Sequence, residues 1–549
     1  MTETTVAGWI GTALARDAGV QAVFGVVGSG NFHVTNALTA HGARFIPARH
    51  EGGAATAADA YARVSGEVGV LSVHQGPGLT NALTGLTEAA KSRTPLLVLA
   101  AEATQPTSNF YIDQAGLAAS IGVLPDRVTA ASTVRNDLRR AYRTALIERR
   151  TVLLSLPLDV QAQPLTDIPM PEVRIWPRLW PAPETITALA DALAQAERPV
   201  FLAGRGARNA KQELKDLAER GGALLATSAV SRGLFNGEPF NLDVSGGFAT
   251  PVAADLIAGA DLVIAWGCAL SMWTTRHGTL ISKDATVIQI DANPGALGVQ
   301  HRVDLGIPSD VTTAARAVIA ELDRRGQRAQ AYRTPEVAKR LAVEGRWRDV
   351  PFQPETEEGR IDPRTLTIAL DDLLPAERTV ATDSGNFMGY PAMFLGIPDE
   401  NGLVFTQAFQ SVGLGLATAL GAAIARPDRL TVAALGDGGA LMGSSELETA
   451  VRLGISDLVV VVYNDEAYGA EVHHFGPHGD PLRNVVFPPT DIAAIARGYG
   501  FEAATVRGSE DLAAVRSWLT GPRERPLLID AKVTRRHPSW WLEEAFRGH

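Results

Sequence analysis

Short apolar runs, each stopped by a Gly-, His-, Asp- or Asn-bearing turn, recur along the whole chain with helical stretches between them. In the first third the runs Ala22–Val27, Phe45–Ala48, Val68–Val73, Leu96–Ala101 and Val152–Leu156 are continuous rather than alternating, which predicts strands buried on both faces of a parallel sheet. Gly52–Arg63 and Leu83–Ala90 read as the connecting helices. The pattern returns after position 184, with a helix near 184–196, strands Val200–Ala203, Leu262–Ala265 and Val287–Asp291, and a helix over Thr312–Arg324. A third alternating region follows, and its clearest unit is Leu430–Leu435, a helix carrying Leu447, Ala450, Val451 and Gly454 on one face, and Leu458–Tyr463. The expectation is an α/β protein of three doubly wound parallel-sheet domains, at 1–170, 184–330 and 363–535, with a tail at 536–549. The Pro- and Trp-bearing segment Ile175–Pro183 and the charged stretch 326–362 read as linkers.

Composition narrows the class without naming it. At 549 residues the chain is too long for one core, and 46% hydrophobic with 20% charged residues is ordinary for a globular protein. The formal net charge of −10 is spread over interspersed acids and bases, so neither nucleic acid nor an anionic membrane is an expected partner. The one cysteine, Cys268, sits in an apolar run and reads as a buried small hydrophobe in a reducing compartment. With no basic leader in residues 1–15 and no apolar stretch of spanning length, the expected location is cytoplasmic.

Gly436–Gly469 concentrates the chemistry. A strand ends at Gly436-Asp437-Gly438-Gly439, a helix follows, and the next strand ends at Asn464-Asp465. A right-handed crossover returns the second strand parallel to the first, so both acidic tips emerge on one edge. On adjacent strands Asp437 and Asp465 would lie roughly 5–10 Å apart, close enough to share a cation. The glycines admit a phosphate to the backbone, and a carboxylate pair beside an anion cradle suits a magnesium-bridged diphosphate. Earlier in the chain His50-Glu51-Gly52-Gly53-Ala54 stands between a strand end and a helix start, and Gly76-Pro77-Gly78-Leu79-Thr80-Asn81 follows twenty-five residues on.

Taken in order, these stretches resemble the pyrimidine-binding and diphosphate-binding motifs of thiamine diphosphate (ThDP) enzymes, the superfamily of acetolactate synthase, benzaldehyde lyase and benzoylformate decarboxylase. The resemblance implies ThDP and Mg²⁺ as cofactors, and a lyase or carboligase acting on 2-oxo acids, aldehydes or 2-hydroxyketones. It assigns Glu51 to N1′ of the aminopyrimidine, where a desolvated carboxyl can shuttle a proton. Asp437, Asp465 and the main-chain oxygen of Ala467 become the metal ligands, with Asn464 orienting their loop. Strict counting from Asp437 would choose Asn464 and Glu466 instead. Pro77, Asn81, Gly385, Asn386, Gly436, Gly438, Gly439, Tyr468 and Gly469 are the further cofactor contacts, and Val412 matches the apolar wedge that bends the cofactor.

On the substrate side the resemblance points to His74, Gln75, Gln114 and His473 as catalytic candidates, the histidines as the acid–base groups, with Ser29, Asn109, Phe110 and His474 near the substrate. Residues of the run Glu471-Val472-His473-His474 and of Asn109-Phe110-Tyr111 differ from those of housekeeping acetolactate synthases, which implies a donor larger or less polar than pyruvate. Pyruvate condensation of the acetolactate synthase kind stays open as the alternative, as does a cofactor-free, non-catalytic relative. Relatives place their sites between subunits, which implies a homodimer or homotetramer. Gly204-Arg205-Gly206 and Ile290–Pro294 resemble a scaffold that holds flavin adenine dinucleotide (FAD) in some members, but no flavin signature is present. No G-x-G-x-x-G with a downstream acid opens any domain, which argues against a dinucleotide oxidoreductase.

Overall fold

A computed structural model describes residues 3–174, 178–326 and 331–545, with side chains to 542. Ile175, Trp176 and Pro177 of the first expected linker, residues 327–330 of the second, and 546–549 of the tail lie outside the described residues. The chain forms three six-stranded sheets, each wholly parallel, plus a two-stranded antiparallel pair joining Glu3–Thr5 to Pro164–Thr166.

The strands follow the apolar runs because a buried parallel strand must be apolar on both faces. The first sheet runs in spatial order Arg44–Pro47, Ala22–Gly25, Gly69–Val73, Leu96–Glu102, Thr151–Pro157 and Leu124–Arg127. The last of these was not anticipated, since Leu124-Pro125-Asp126-Arg127 is an edge strand with two charged residues and a proline. The middle sheet is built on Pro199–Ala203 flanked by Leu262–Trp266 and Leu224–Thr227. In the third, Arg378–Thr382, Leu430–Gly436, Leu458–Asn464 and Leu527–Lys532 stand side by side at the centre.

Two segments depart from the sequence reading. Within 326–362, Thr334 caps a helix at Pro335–Glu344 whose Val337 and Leu341 pack into the middle domain, so a proline-punctuated stretch begins a helix there. The expected tail turns into a helix, Trp540–Ala545, with Trp541 and Leu542 buried against Met388.

The first and third domains of one chain are packed directly on one another. Helix Glu51–Ser65 lies along helix Gly415–Ala425, both built of small residues. A Cβ on Gly421 would collide with the Ala57 carbonyl, so the two backbones approach as closely as glycine allows. Beside this contact, Arg63 is buried with Asp59 and Glu88, and its guanidinium also donates to the Phe405 carbonyl of the third domain. Among the described residues no helix is long and apolar enough to cross a membrane.

Candidate active site

The strand pair predicted to carry the acids is adjacent and parallel, with Gly436 opposite Tyr463, so Asp437 and Asp465 emerge at the same end. Their carboxyls are buried and act electrostatically on one another. Burial pushes Asp437 up to about 6. Burial and then the facing Asp437 charge hold Asp465 well above the ordinary carboxylate range. Two acids forced together in this way form a site that a cation would relieve.

The neighbouring side chains are directed elsewhere. Asn464 donates to Asp530 at 2.8 Å and accepts from the Glu466 N–H at 3.2 Å, so it braces the loop from below. Glu466, held at φ +59°, ion-pairs with Arg360 at 2.5 Å and with Arg535 at 3.2 Å. Of the two countings open in the sequence, the one through Asp465 names a carboxyl at the strand tip beside Asp437, while the other names Asn464 and Glu466, whose side chains are engaged with Asp530, Arg360 and Arg535. The Ala467 amide donates to Asp465 at 3.3 Å, and an isolated bridge to Val486 fixes Ala467 in the loop.

Glycine is required here by close approach. A Cβ on Gly438 would stand 2.7 Å from the Tyr468 ring, one on Gly439 would strike the Asp383 carboxylate, and one on Gly469 would strike Asp465. Asp383, directly after the strand Arg378–Thr382, is fully buried. It accepts the N–H groups of Ser384, Gly413 and Leu414 at 2.8–3.2 Å. Burial raises its carboxyl to about 6 against those bonds. It anchors the turn after Val412, whose side chain faces Gly439.

These residues line a cavity of about 550 Å³. Gly385, Asn386, Val412, Gly436, Asp437, Gly438, Gly439, Asp465, Ala467, Tyr468 and Gly469 all contribute to its wall. So do Phe248 and Trp273 of the middle domain and Trp541 and Leu542 of the C-terminal helix, none of which the sequence reading proposed. Asn386 is tied to that helix, accepting from Ser539 Oγ at 2.7 Å and Trp541 Nε1 at 2.9 Å through its carbonyl. His473 and His474 do not line the cavity. Ala470 and Glu471 do, because the histidines lie a turn further along the helix Gly469–Phe475. Burial holds the His473 imidazolium below the usual histidine range.

Among the described residues, none of the first 170 reaches this wall. The other predicted residues gather in a second cluster. Glu51 opens its helix half-buried, and Asn81, on the short helix that begins at Pro77, donates to it at 3.0 Å. His74 Nδ1 lies 2.8 Å from the Gln75 carbonyl, which can only accept, so the hydrogen sits on Nδ1 and Nε2 presents its lone pair to Ser29 Oγ at 3.2 Å. Phe110 stacks edge-on against His74 with ring centres 5.1 Å apart, and Asn109 beside it is exposed. Gln75 is buried with its Oε1 unpaired among the described residues. Gln114 does not join them: it donates to the Ala101 carbonyl at 2.7 Å and accepts from Ser155 at 3.2 Å, a buried clip between strands.

Three family models match in chain order. Residues 4–120 match the thiamine pyrophosphate enzyme N-terminal TPP binding domain, 186–318 the central domain, and 383–531 the C-terminal TPP binding domain. The chain belongs to the thiamine diphosphate-dependent enzymes. A sulfoacetaldehyde acetyltransferase from Alcaligenes xylosoxydans xylosoxydans is 31% identical over 493 residues, covering 82% of this chain and 80% of that protein. A probable 2-ketoarginine decarboxylase from Pseudomonas aeruginosa is 30% identical over 525 residues, covering 93% and 90%. An acetolactate synthase large subunit from Parasynechococcus marenigrum is 28% identical over 566 residues, covering 96% and 88%. The protein is thus a ThDP-dependent enzyme of the carbon–carbon lyase and carboligase type; its glycine cradle fits the diphosphate of that cofactor, and its paired acids fit a divalent cation bound to that diphosphate.

Proposed function

We propose that this ThDP enzyme works as a homodimer or a higher homo-oligomer, in which Glu51 of one subunit completes the cavity that carries Asp437 and Asp465 of the other. The observation that carries this reading is the separation of the two clusters: the acid pair lines a cavity to which the described residues of the first domain, 3–170, contribute nothing. Exposed large apolar side chains on both halves support it. Val27, Phe32, Phe110 and Tyr111 are exposed in the first domain, and Val412, Leu441, Met442 and Phe475 in the third.

When bound, ThDP supplies the carbon nucleophile and the electron sink for making or breaking a bond beside a carbonyl. Asp437, Asp465 and the Ala467 carbonyl would hold Mg²⁺, and the charge of the cation would end the mutual repulsion of the buried acids. Gly438, Gly439, Asn386 and Gly385 would line the diphosphate, while Val412 would press on the ring system from the cavity floor. Glu51, half-exposed in the single chain, would be desolvated by the partner and hold a proton against the aminopyrimidine. His74, with Ser29 beside it, would take or return the proton of the substrate's carbonyl-derived oxygen. Phe110 stacks on that imidazole, and Phe110 with its exposed neighbour Tyr111 would offer apolar area suited to a donor bulkier than pyruvate.

Mixing two inactive proteins tests the shared site. Glu51→Gln and Asp437→Ala proteins should regain activity after subunit exchange, because one of the two mixed sites draws both wild-type halves. Proven exchange without recovery would place both halves within one chain.

A further inference from the structure

Glu446 lies nine residues after Asp437, at the start of helix Glu446–Arg452. Its side chain is only 3% exposed and crosses from the third domain to the first of the same chain. There Oε1 accepts the backbone N–H groups of Arg49 and His50, each at 3.1 Å, the two residues immediately before Glu51. Thr449 Oγ1 fixes the other oxygen at 2.6 Å. Gly53 makes room for it: a Cβ there would stand 2.5 Å from Glu446 Oε1. His50 then accepts the Gly52 N–H at 3.0 Å, so Glu446 and His50 together set the first turn of the helix that carries Glu51.

The arrangement has a counterpart in the opposite direction. Glu88 of the first domain, fully buried, accepts the N–H groups of Ala408 at 3.2 Å and Phe409 at 2.7 Å in the third. Those residues begin the arch that ends at Gly413 and Leu414, where Asp383 takes over, and Val412 faces the cavity between the two anchors. Each domain thus uses a buried carboxylate to fix the backbone from which the other presents a residue to a site.

We propose that Glu446 is a positioning residue for Glu51, and that Glu88 serves Val412 in the same way. A backbone N–H bound to a buried carboxylate is held more firmly than one bound to water, and a proton-shuttling carboxyl loses its effect when displaced by about 1 Å. The inference rests on the ThDP reading of the site and deepens it: the proposed roles of Glu51 and Val412 are conditions of the test.

The test uses the full-length protein with ThDP and Mg²⁺. Calorimetry gives the cofactor Kd, NMR follows exchange of the cofactor's C2 hydrogen, and amide exchange by mass spectrometry covers 45–55 and 405–416. Glu446→Ala should slow C2–H exchange at least tenfold and deprotect 45–55, with Kd changed less than threefold. Glu446→Gln, which keeps an acceptor for the two N–H groups, should recover most of the rate. Glu88→Gln, which turns one of the two oxygens that accept from Ala408 and Phe409 into an amide donor, should deprotect 405–416 and slow exchange without deprotecting 45–55. Wild-type exchange in a folded Glu446→Ala protein would overturn the proposal, as would failure of Gln to outperform Ala. If Glu446→Ala does not fold, Thr449→Ala, which frees only the second oxygen, should lower the rate in the same direction, and an unchanged rate there counts against it. Wild-type protein that binds no ThDP would instead sink the cofactor reading itself.

Discussion

Asp437→Asn should make the ligand-free enzyme more stable while removing its response to Mg²⁺. Asp437 is almost fully buried, and burial lifts its carboxyl from 3.8 to about 6. A folded-state value above the unfolded one means that ionisation opposes folding: the cost is absent below about 3.8, grows with pH, and is complete above about 6. Roughly two units at ~1.4 kcal/mol each give about 3 kcal/mol at pH 8, and about half of that at pH 5. Asparagine keeps the acceptor for the backbone amides of the Gly-Asp-Gly turn, has nearly the same volume, and carries no charge to desolvate. For a cooperative unit of domain size, about 3 kcal/mol corresponds to roughly 5–10 °C in apparent melting temperature. Calorimetric melting of ligand-free wild-type and variant protein at pH 5 and pH 8, each with and without Mg²⁺ and ThDP, reads all of this. The reasoning fails if the variant melts no higher than wild type at pH 8, if its gain is equal at both pH values, or if Mg²⁺ and ThDP still stabilise it together.

Three further outcomes follow from the same geometry. Asp465→Ala should weaken Mg²⁺-dependent ThDP binding far more than Asn464→Ala does, since Asn464 is engaged with Asp530; titration calorimetry giving the reverse order would move the ligand to Asn464. Glu51→Gln should fold, bind cofactor nearly as wild type, and lose about 10²–10⁴-fold in turnover, the scale of a missing acid–base step; C2–H exchange at the wild-type rate would remove Glu51 from that role. Across pyruvate, longer 2-oxo acids and benzoin-type ketones, kcat/KM should favour the bulkier donors, and a clear preference for pyruvate with acetolactate as product would restore the synthase alternative.

The fold was legible where the physics is local. Continuous apolar runs ending in glycine or acid turns can hardly be anything but buried parallel strands, and Leu430–Gly436 and Leu458–Asn464 sit within a residue of their expected ends. Edge elements such as Leu124–Arg127 were missed because a strand paired on one side need not be apolar. Site residues that act through the backbone turn were legible for the same local reason: Asp437 and Asp465 are strand tips. What the sequence hid is whatever depends on distant partners. Nothing local distinguishes Glu446 from any acid in a first helical turn, or Glu88 from an amphipathic helix glutamate, and their partners lie more than three hundred residues away. Gln114 misled for the converse reason, being a polar residue in a loop-like stretch whose two ends are both consumed inside the fold.

The third domain is built to hold charge it does not itself neutralise. Three of its acids, Asp383, Asp437 and Asp465, are buried near the cavity with their carboxyls pushed upward. Asp383 is compensated by backbone N–H groups, and its work is complete within the chain. Asp437 and Asp465 have one another and, at longer range, Lys532, which is already paired with Asp530 at 3.1 Å. A fold under selection for stability alone would replace one of them, since an uncompensated buried like-charge pair is among the costlier arrangements available. In the first domain Glu51 is half-exposed in the single chain, and the apolar side chains exposed near it and near the cavity are of the kind that association buries. Metal, cofactor and second subunit would then act as parts of one folding problem, so that raising any one of them should increase the apparent affinity for the other two.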